Sequence, residues 1–257
     1  MKKSITTIAF MTFVTVLFIS VLAVINETSR ARIIQNLQID EAKSILYAFD
    51  ILPKEIDETE LNPAATTNDL PWNEQNVIET IREEIKTVTL PISEEHKKLL
   101  KDSFLAIEDS ATIYIHHDNS GNVLAYGFPL KGKGLWGTIS AFGAVSSNLE
   151  KMVGIDFTAQ VETPGLGARI TEVEFKYFFR NLSLEGFHED SKRKPIVLVK
   201  EKEQSNIEDP TNSLQAITGA TQTVSGVQKM LNTDLKFYLD LIKENEQQLK
   251  QAVSQRA

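Results

Sequence analysis

The chain has 257 residues, with 27 Lys and Arg against 35 Asp and Glu, so its formal net charge is −8. An acidic chain gains nothing from a phosphate backbone, and no basic stripe with interleaved aromatics appears, so nucleic-acid binding is disfavoured. Cysteine is absent, which excludes disulfides, thiol nucleophiles and Cys-ligated zinc or iron–sulfur centres held by this chain alone.

Ser4 to Asn26 is a run of 23 residues without a charge. At about 1.5 Å per helical residue it reaches roughly 34 Å, enough to cross a hydrocarbon core of about 30 Å. Thr6, Thr7, Thr12 and Thr15 dilute the run, but their hydroxyls can bond back to helix carbonyls. A cleavable signal peptide is the competing reading, with Lys2 and Lys3 as its basic region and Val21-Leu22-Ala23 as a cleavage site. An anchor is favoured because the run is long and flows into Glu27–Phe49, where Ile33, Leu37, Ala42, Ile45, Leu46 and Phe49 keep helical spacing. Lys2 and Lys3 favour a cytoplasmic N-terminus with the bulk of the chain outside, a bias that Arg30 and Arg32 on the other flank weaken. Residues 1–27 are thus expected as a transmembrane anchor, 28–73 as a helical neck and linker, and 74–257 as one domain.

Ile51 to Trp72, with Pro53, Pro63 and Pro71, reads as a linker or long surface loop. Glu74–Ile85 and Ser93–Ile107 read as helices, the second capped by Ser93 with Glu94 and Glu95 in its first turn. Ala111–His117 and Val123–Leu130 read as a hairpin around Asp118–Asn122. Gly137–Val145, Met152–Val161 and Ile196–Lys200 are further strands, and Glu172–Asn181 is a helix. A long helix closes the chain, with Ser225 and Gln228 fitting a capping box and polar fraying beyond Lys243. The fold class is α+β: a single N-terminal transmembrane helix, then one domain with a mainly antiparallel sheet and a long C-terminal helix. His116 and His117 fall on opposite faces of a strand, which disfavours a shared metal.

Three segments carry chemistry. In Thr218-Gly219-Ala220-Thr221-Gln222-Thr223, small residues let backbone amides approach a ligand and three hydroxyls lie within six residues. A helix begins nearby, so a phosphate site and a simple helix cap are both open. Glu162-Thr163-Pro164-Gly165-Leu166-Gly167 has a type II turn signature, which reads either as a hairpin end or as a turn aiming amides at a ligand. Gly132-Lys133-Gly134-Leu135-Trp136-Gly137 sets one indole among three glycines, either as a core residue or as an aromatic face for stacking.

These motifs, in this order and behind one N-terminal span, resemble the covalent FMN-binding domain family, and in particular the C subunits of Na⁺-translocating NADH:quinone reductases. Thr218-Gly219-Ala220-Thr221 is similar to that family's Ser/Thr-Gly-Ala-Thr flavinylation motif. The resemblance implies that a flavin transferase esterifies Thr221 with the FMN phosphate, with Thr218, Gly219, Ala220 and Thr223 around the phosphate. It also implies that Glu162, Thr163, Leu166, Leu135 and Trp136 lie at the flavin. Gln215 stands where the family usually has Asp, a departure that bears on recognition by the transferase.

By the same resemblance, the chain is a single-pass protein of the bacterial inner membrane with a periplasmic domain. It relays electrons between a membrane iron centre and the FMN of the B subunit in a six-subunit complex. That complex oxidises NADH, reduces ubiquinone and exports Na⁺. Gly132–Gly137 has Gly-x-Gly-x-x-Gly spacing after a strand, but it leads into another expected strand, Gly137–Val145, and not into a helix, so NADH binding is not expected here. The alternatives are an electron carrier like the G subunit of Rnf complexes, an anchored non-catalytic binding module, and a threonine-nucleophile hydrolase, for which no base is evident near Thr221.

Overall fold

The computed structural model describes residues 2–53, 56, 61–188, 190–199 and 210–254. The chain divides into two units, residues 1–40 and 41–257. The first unit is most of one continuous helix, α1 (Lys2–Ala48). Its segment from Ile5 onward is long and apolar enough to cross a membrane. Leu17, Phe18, Ile19 and Leu22 are exposed along it, and the Thr15 hydroxyl bonds back to the Met11 carbonyl at 2.9 Å.

The second unit is built on a five-stranded antiparallel meander in the order β1 (Ile85–Pro91), β2 (Ser110–His117), β3 (Val123–Lys133), β4 (Thr138–Ser146), β5 (Met152–Ala159). Alternation sorts the side chains onto two faces. On one face Tyr126, Phe128, Leu130, Ile139 and Val145 pack with the C-terminal helix α5 (Thr221–Glu244). Phe128 stacks on Tyr238 at 4.2 Å between centroids. On the other face Ala125, Phe142 and Ala144 meet the last turns of α1, Ile45 to Phe49, and Val77 of α2 (Glu74–Glu84). The remaining elements are α3 (Glu94–Leu99), α4 (Val173–Tyr177), a two-stranded parallel pair β6 (Val197–Val199) and β7 (Ser213–Gln215), and α6 (Glu246–Ser254).

Several expectations are corrected. The helix expected over 93–107 stops at Leu99 and a 3₁₀ turn over Leu100–Asp102, because the Ser103 hydroxyl turns to donate to Asp234 at 2.6 Å and accepts the Leu105 amide. The helix expected over 172–181 is regular only over Val173–Tyr177 and ends in turns that take Asn181 to a positive φ of 60°. The capping box at Ser225 does not form: α5 starts one turn earlier, at Thr221, and Gln228 donates sideways to the Ile196 carbonyl at 2.9 Å. Instead of fraying past Lys243, the chain continues as α6, because Leu249 and Val253 bury themselves in the core. Strand β1 was not expected at all. Lys200, the end of the strand expected over 196–200, lies outside the described residues.

The segment read as a linker or loop runs as a loop held to the domain. The carbonyls of Pro63 and Ala65 accept the amides of Glu174 and Val173, and Leu70 is buried.

Candidate functional site

The three chemistry-bearing segments meet at one end of the meander. The first is the connection between β3 and β4, closed by the Gly134 amide donating to the Gly137 carbonyl at 2.8 Å. Its tip leaves Trp136 69% exposed and Leu135 54% exposed. Such apolar exposure in a tight turn is unusual for a residue without a partner. The indole N–H of Trp136 donates to the Thr163 hydroxyl at 3.1 Å.

The second segment follows β5. The Leu166 amide donates to the Thr163 carbonyl at 3.1 Å, and Gly165 has φ +74°, as a type II turn requires at its third position. Leu166 is exposed and leans toward the third segment: a β-carbon on Gly219 would lie 3.0 Å from Leu166 Cδ2.

The third segment leads into α5. Gly219 has φ +79°, the left-handed conformation that glycine adopts most readily. The Ala220 amide closes onto the Ile217 carbonyl at 2.9 Å, and Thr221 is the first residue of α5. The helix lacks a side-chain cap at Ala220. The first-turn amides of Thr221, Gln222 and Thr223 precede any carbonyl that the helix itself could offer, and they sit at its positive end. Thr218, Gly219 and Thr221 are exposed, whereas Ala220 and Thr223 are buried.

Glu162 joins the three segments. Its carboxylate, 5% exposed, accepts the amides of Trp136 at 2.9 Å, Leu135 at 3.3 Å and Gly137 at 3.4 Å. It also accepts the Thr223 hydroxyl at 2.6 Å. Burial pushes this carboxyl up, but hydrogen bonds from Thr223, Trp136, Gly137 and Leu135 outweigh burial and hold it below the usual carboxylate range.

All ten residues singled out in the sequence therefore fall in one patch. Thr221, Thr218, Gly219, Leu135, Trp136, Thr163 and Leu166 are exposed or partly so. Glu162 and Thr223 direct their side chains at each other. Local patterns did not signal that bond, because its partners are 61 residues apart. His116 and His117, by contrast, stand elsewhere and separately. His116 Nε2 is 3.3 Å from Glu84, and His117 Nδ1 is 3.0 Å from the Asp118 carbonyl.

An exposed threonine at a helix start and an adjoining apolar rim fit a phosphate-bearing aromatic ligand. Comparison with known proteins agrees. Residues 134–236 match the family model of the FMN-binding domain. The chain is 26% identical over 151 residues to the C subunit of the Na⁺-translocating NADH-quinone reductase of Pseudomonas aeruginosa, covering 55% of this chain and 56% of that protein. It is 34% identical over 106 residues to the G subunit of a proton-translocating ferredoxin:NAD⁺ oxidoreductase complex from Clostridium ljungdahlii, covering 41% and 49%. The chain thus spans about half the length of the curated relatives it matches. The crystal structure of the C subunit of the Na⁺-translocating NADH-quinone reductase from Parabacteroides distasonis shares the fold, with a TM-score of 0.60 at 23% identity over 83% of this chain and 96% of that one. Residues 134–236 therefore match the FMN-binding domain family, in a chain that is similar to the C subunits of the Na⁺-translocating NADH-quinone reductases.

Proposed function

We propose that the chain is the FMN-carrying electron-relay subunit of a Na⁺-translocating NADH:quinone reductase, with FMN esterified to Thr221. One observation carries this reading: Thr221 stands exposed at the first position of α5, on the same patch as the exposed Trp136, Leu135 and Leu166. Bound FMN would supply the redox chemistry, while the protein supplies position and electrostatics. Thr221 would hold the phosphate through its side-chain oxygen. The Thr218 hydroxyl and the first-turn amides up to Thr223 would donate to the phosphate oxygens, and Gly219 and Ala220 keep side chains out of that approach. Leu135, Trp136, Thr163 and Leu166 would line the ring. Glu162 would support it from beneath. No protein acid or base is required for electron relay, and the covalent tether keeps the group in place where no free FMN can replace it.

The resemblance extends the proposal. Electrons would pass between a membrane iron centre and the FMN of the B subunit, within a complex that oxidises NADH, reduces ubiquinone and exports Na⁺. The long apolar helix would anchor the domain on the periplasmic side of the inner membrane. A flavin transferase would install the FMN, and Gln215 is the position where its recognition would differ.

The test is co-expression with the matching flavin transferase. Denaturing electrophoresis should give a fluorescent band, and intact mass an increment of one FMN less water; Thr221→Ala should lose both. An unmodified peptide across 216–229 from protein made with its transferase would overturn the reading. A second reading, an Rnf-type G subunit, has support in the 34% identity to the clostridial protein. It shares the cofactor and differs in the terminal acceptor. Membranes from the source cell would then reduce NAD⁺ from ferredoxin rather than quinone from NADH.

A further inference from the structure

A carboxylate that is nearly fully buried is costly unless it is well hydrogen-bonded. Glu162 meets that condition through two separate parts of the chain. Oε1 takes the Trp136 and Gly137 amides, and Oε2 takes the Leu135 amide and the Thr223 hydroxyl. The backbone closes around it because two glycines leave room. A β-carbon on Gly134 would strike Glu162 Oε1, and one on Gly167 would lie 2.6 Å from Thr223 Oγ1 and 2.9 Å from Glu162 Oε2. Other charged residues on the elements around it are Lys131 and Lys133 on β3, Asp156 on β5, Lys229, Asp234, Lys236, Asp240, Lys243 and Glu244 on α5, and Arg169 beyond the 163–166 turn. Arg169 is engaged by Glu172 and Glu174 at 3.1 and 3.4 Å. Asp234 accepts from Ser103 and Lys131.

We propose that Glu162 is a positioning residue whose carboxylate clamps the start of α5 to the Leu135–Gly137 turn, and whose fixed negative charge disfavours electron gain by a ring held at Thr221. The second half of this proposal rests on the reading of Thr221 as the attachment point. The clamp half does not. Thr223 lies two residues past Thr221, so holding its side chain fixes the first turn of α5. Holding three successive amides fixes the backbone that presents Leu135 and Trp136. A charge kept in a low-dielectric pocket acts further than one in water.

Two substitutions separate charge from shape. Glutamine matches the length of glutamate and keeps one oxygen for the Trp136 and Gly137 amides, while the Thr223 hydroxyl can turn to accept from the new amide. It removes the charge. Thr223→Val removes one clamp bond and leaves the charge.

The experiment uses the full-length chain in detergent and two readouts. In flavinylated protein, the reduction potential of Glu162→Gln should rise by at least tenfold in the one-electron equilibrium constant, about 59 mV, and by more than in Thr223→Val, which keeps the charge. An unchanged potential in Glu162→Gln, in protein whose mass carries one FMN at Thr221, overturns the electrostatic claim and leaves the attachment reading standing. In unflavinylated protein carrying Trp72→Phe, Trp136 is the one remaining tryptophan, and its emission is followed against pH. Wild type should show an acid transition below the usual carboxylate range, Glu162→Gln should lack it, and Thr223→Val should move it upward. The same transition in all three overturns the clamp. If wild type itself takes up no FMN, the attachment reading fails, and the emission series still decides the clamp.

Discussion

With φ at +79° and Leu166 Cδ2 pressed against the place where a β-carbon would go, Gly219 faces two separate penalties on substitution. A left-handed conformation costs a non-glycine residue about 1–2 kcal/mol, and Leu166 would have to move off the rim of the site. Gly219→Ala should therefore lower stability by about that amount in urea titration and also cut FMN incorporation, read as in-gel fluorescence per unit protein. Gly165 is the control. Its φ is +74°, yet nothing lies within 4 Å of a β-carbon there, so Gly165→Ala should show the backbone penalty and retain FMN. Equal loss of FMN in both variants would mean that the Leu166 contact is irrelevant. Gly165 was legible as a turn residue from its place after Pro164, whereas Gly219 was read only as a small residue that lets amides approach a ligand. The partner of Glu162 was not legible. Glu162 and Thr223 each read as a ligand contact, and only the fold reveals that the carboxylate and hydroxyl satisfy each other.

At the level of elements, the most heavily loaded joint lies away from the candidate site. The buried Lys176 ammonium on α4 donates to Asp156 on β5 at 2.8 Å and to Thr67 at 2.6 Å, and sits 4.0 Å above the Tyr47 ring. Removing one member of a buried pair strands the other charge, at about 3–5 kcal/mol. Lys176→Ala should destabilise the domain by that order in chemical denaturation, whereas a double Lys176→Met, Asp156→Leu variant should recover much of it. Helix α5 carries the opposite electrostatic burden. Burial pushes the Asp234 carboxyl up to about 6, against the pull of the Lys131 amide and the Ser103 hydroxyl. Its folded pKa exceeds its unfolded value, so the native state binds the extra proton, and stability falls as pH rises from about 4 to about 6. Asp234→Asn should flatten that falling limb; an unchanged profile of unfolding free energy against pH would remove Asp234 as its source. The depressed Glu162 carboxyl works in the other direction, contributing stability that is lost as pH falls below the usual carboxylate range. Strands β2 to β5 were readable because each is long and rich in β-branched, aromatic and other apolar residues, the side chains that suit a pleated, half-buried surface. Strand β1 was missed because just Ile85 and Leu90 of its seven residues are buried. The start of α5 was misplaced because Ser225 offers a better capping signal than Ala220, and the true start stays uncapped at the site.

On the scale of the whole chain, residues 1–40 form a unit with its own physical logic. Ile5 to Ile25 present Phe10, Phe13, Leu17, Phe18, Ile19, Leu22 and Val24 to the outside, with no charge among them. A helix apolar all round is stable only when buried in protein or in lipid. A cleaved signal peptide and a retained anchor both meet that requirement during export, but their fates differ. A retained anchor keeps the chain with the bilayer after alkaline carbonate extraction and leaves Lys2 and Lys3 in the mature protein. The length of the apolar run favours retention, because it exceeds the roughly 7–15 residues of an ordinary signal core. Near the centre of the run, Ile19→Arg places a charge at a depth where insertion costs about 2.5–3.5 kcal/mol. That substitution should move a substantial fraction of the protein out of the carbonate-resistant pellet, while Thr6→Arg, near the end, should be tolerated because its side chain can reach the interface. Both variants should still take up FMN at Thr221 if they reach the compartment of the transferase. A mature N-terminus beginning just after Ala23 would instead make the run a signal peptide, and the domain would then need a partner subunit to stay at the membrane.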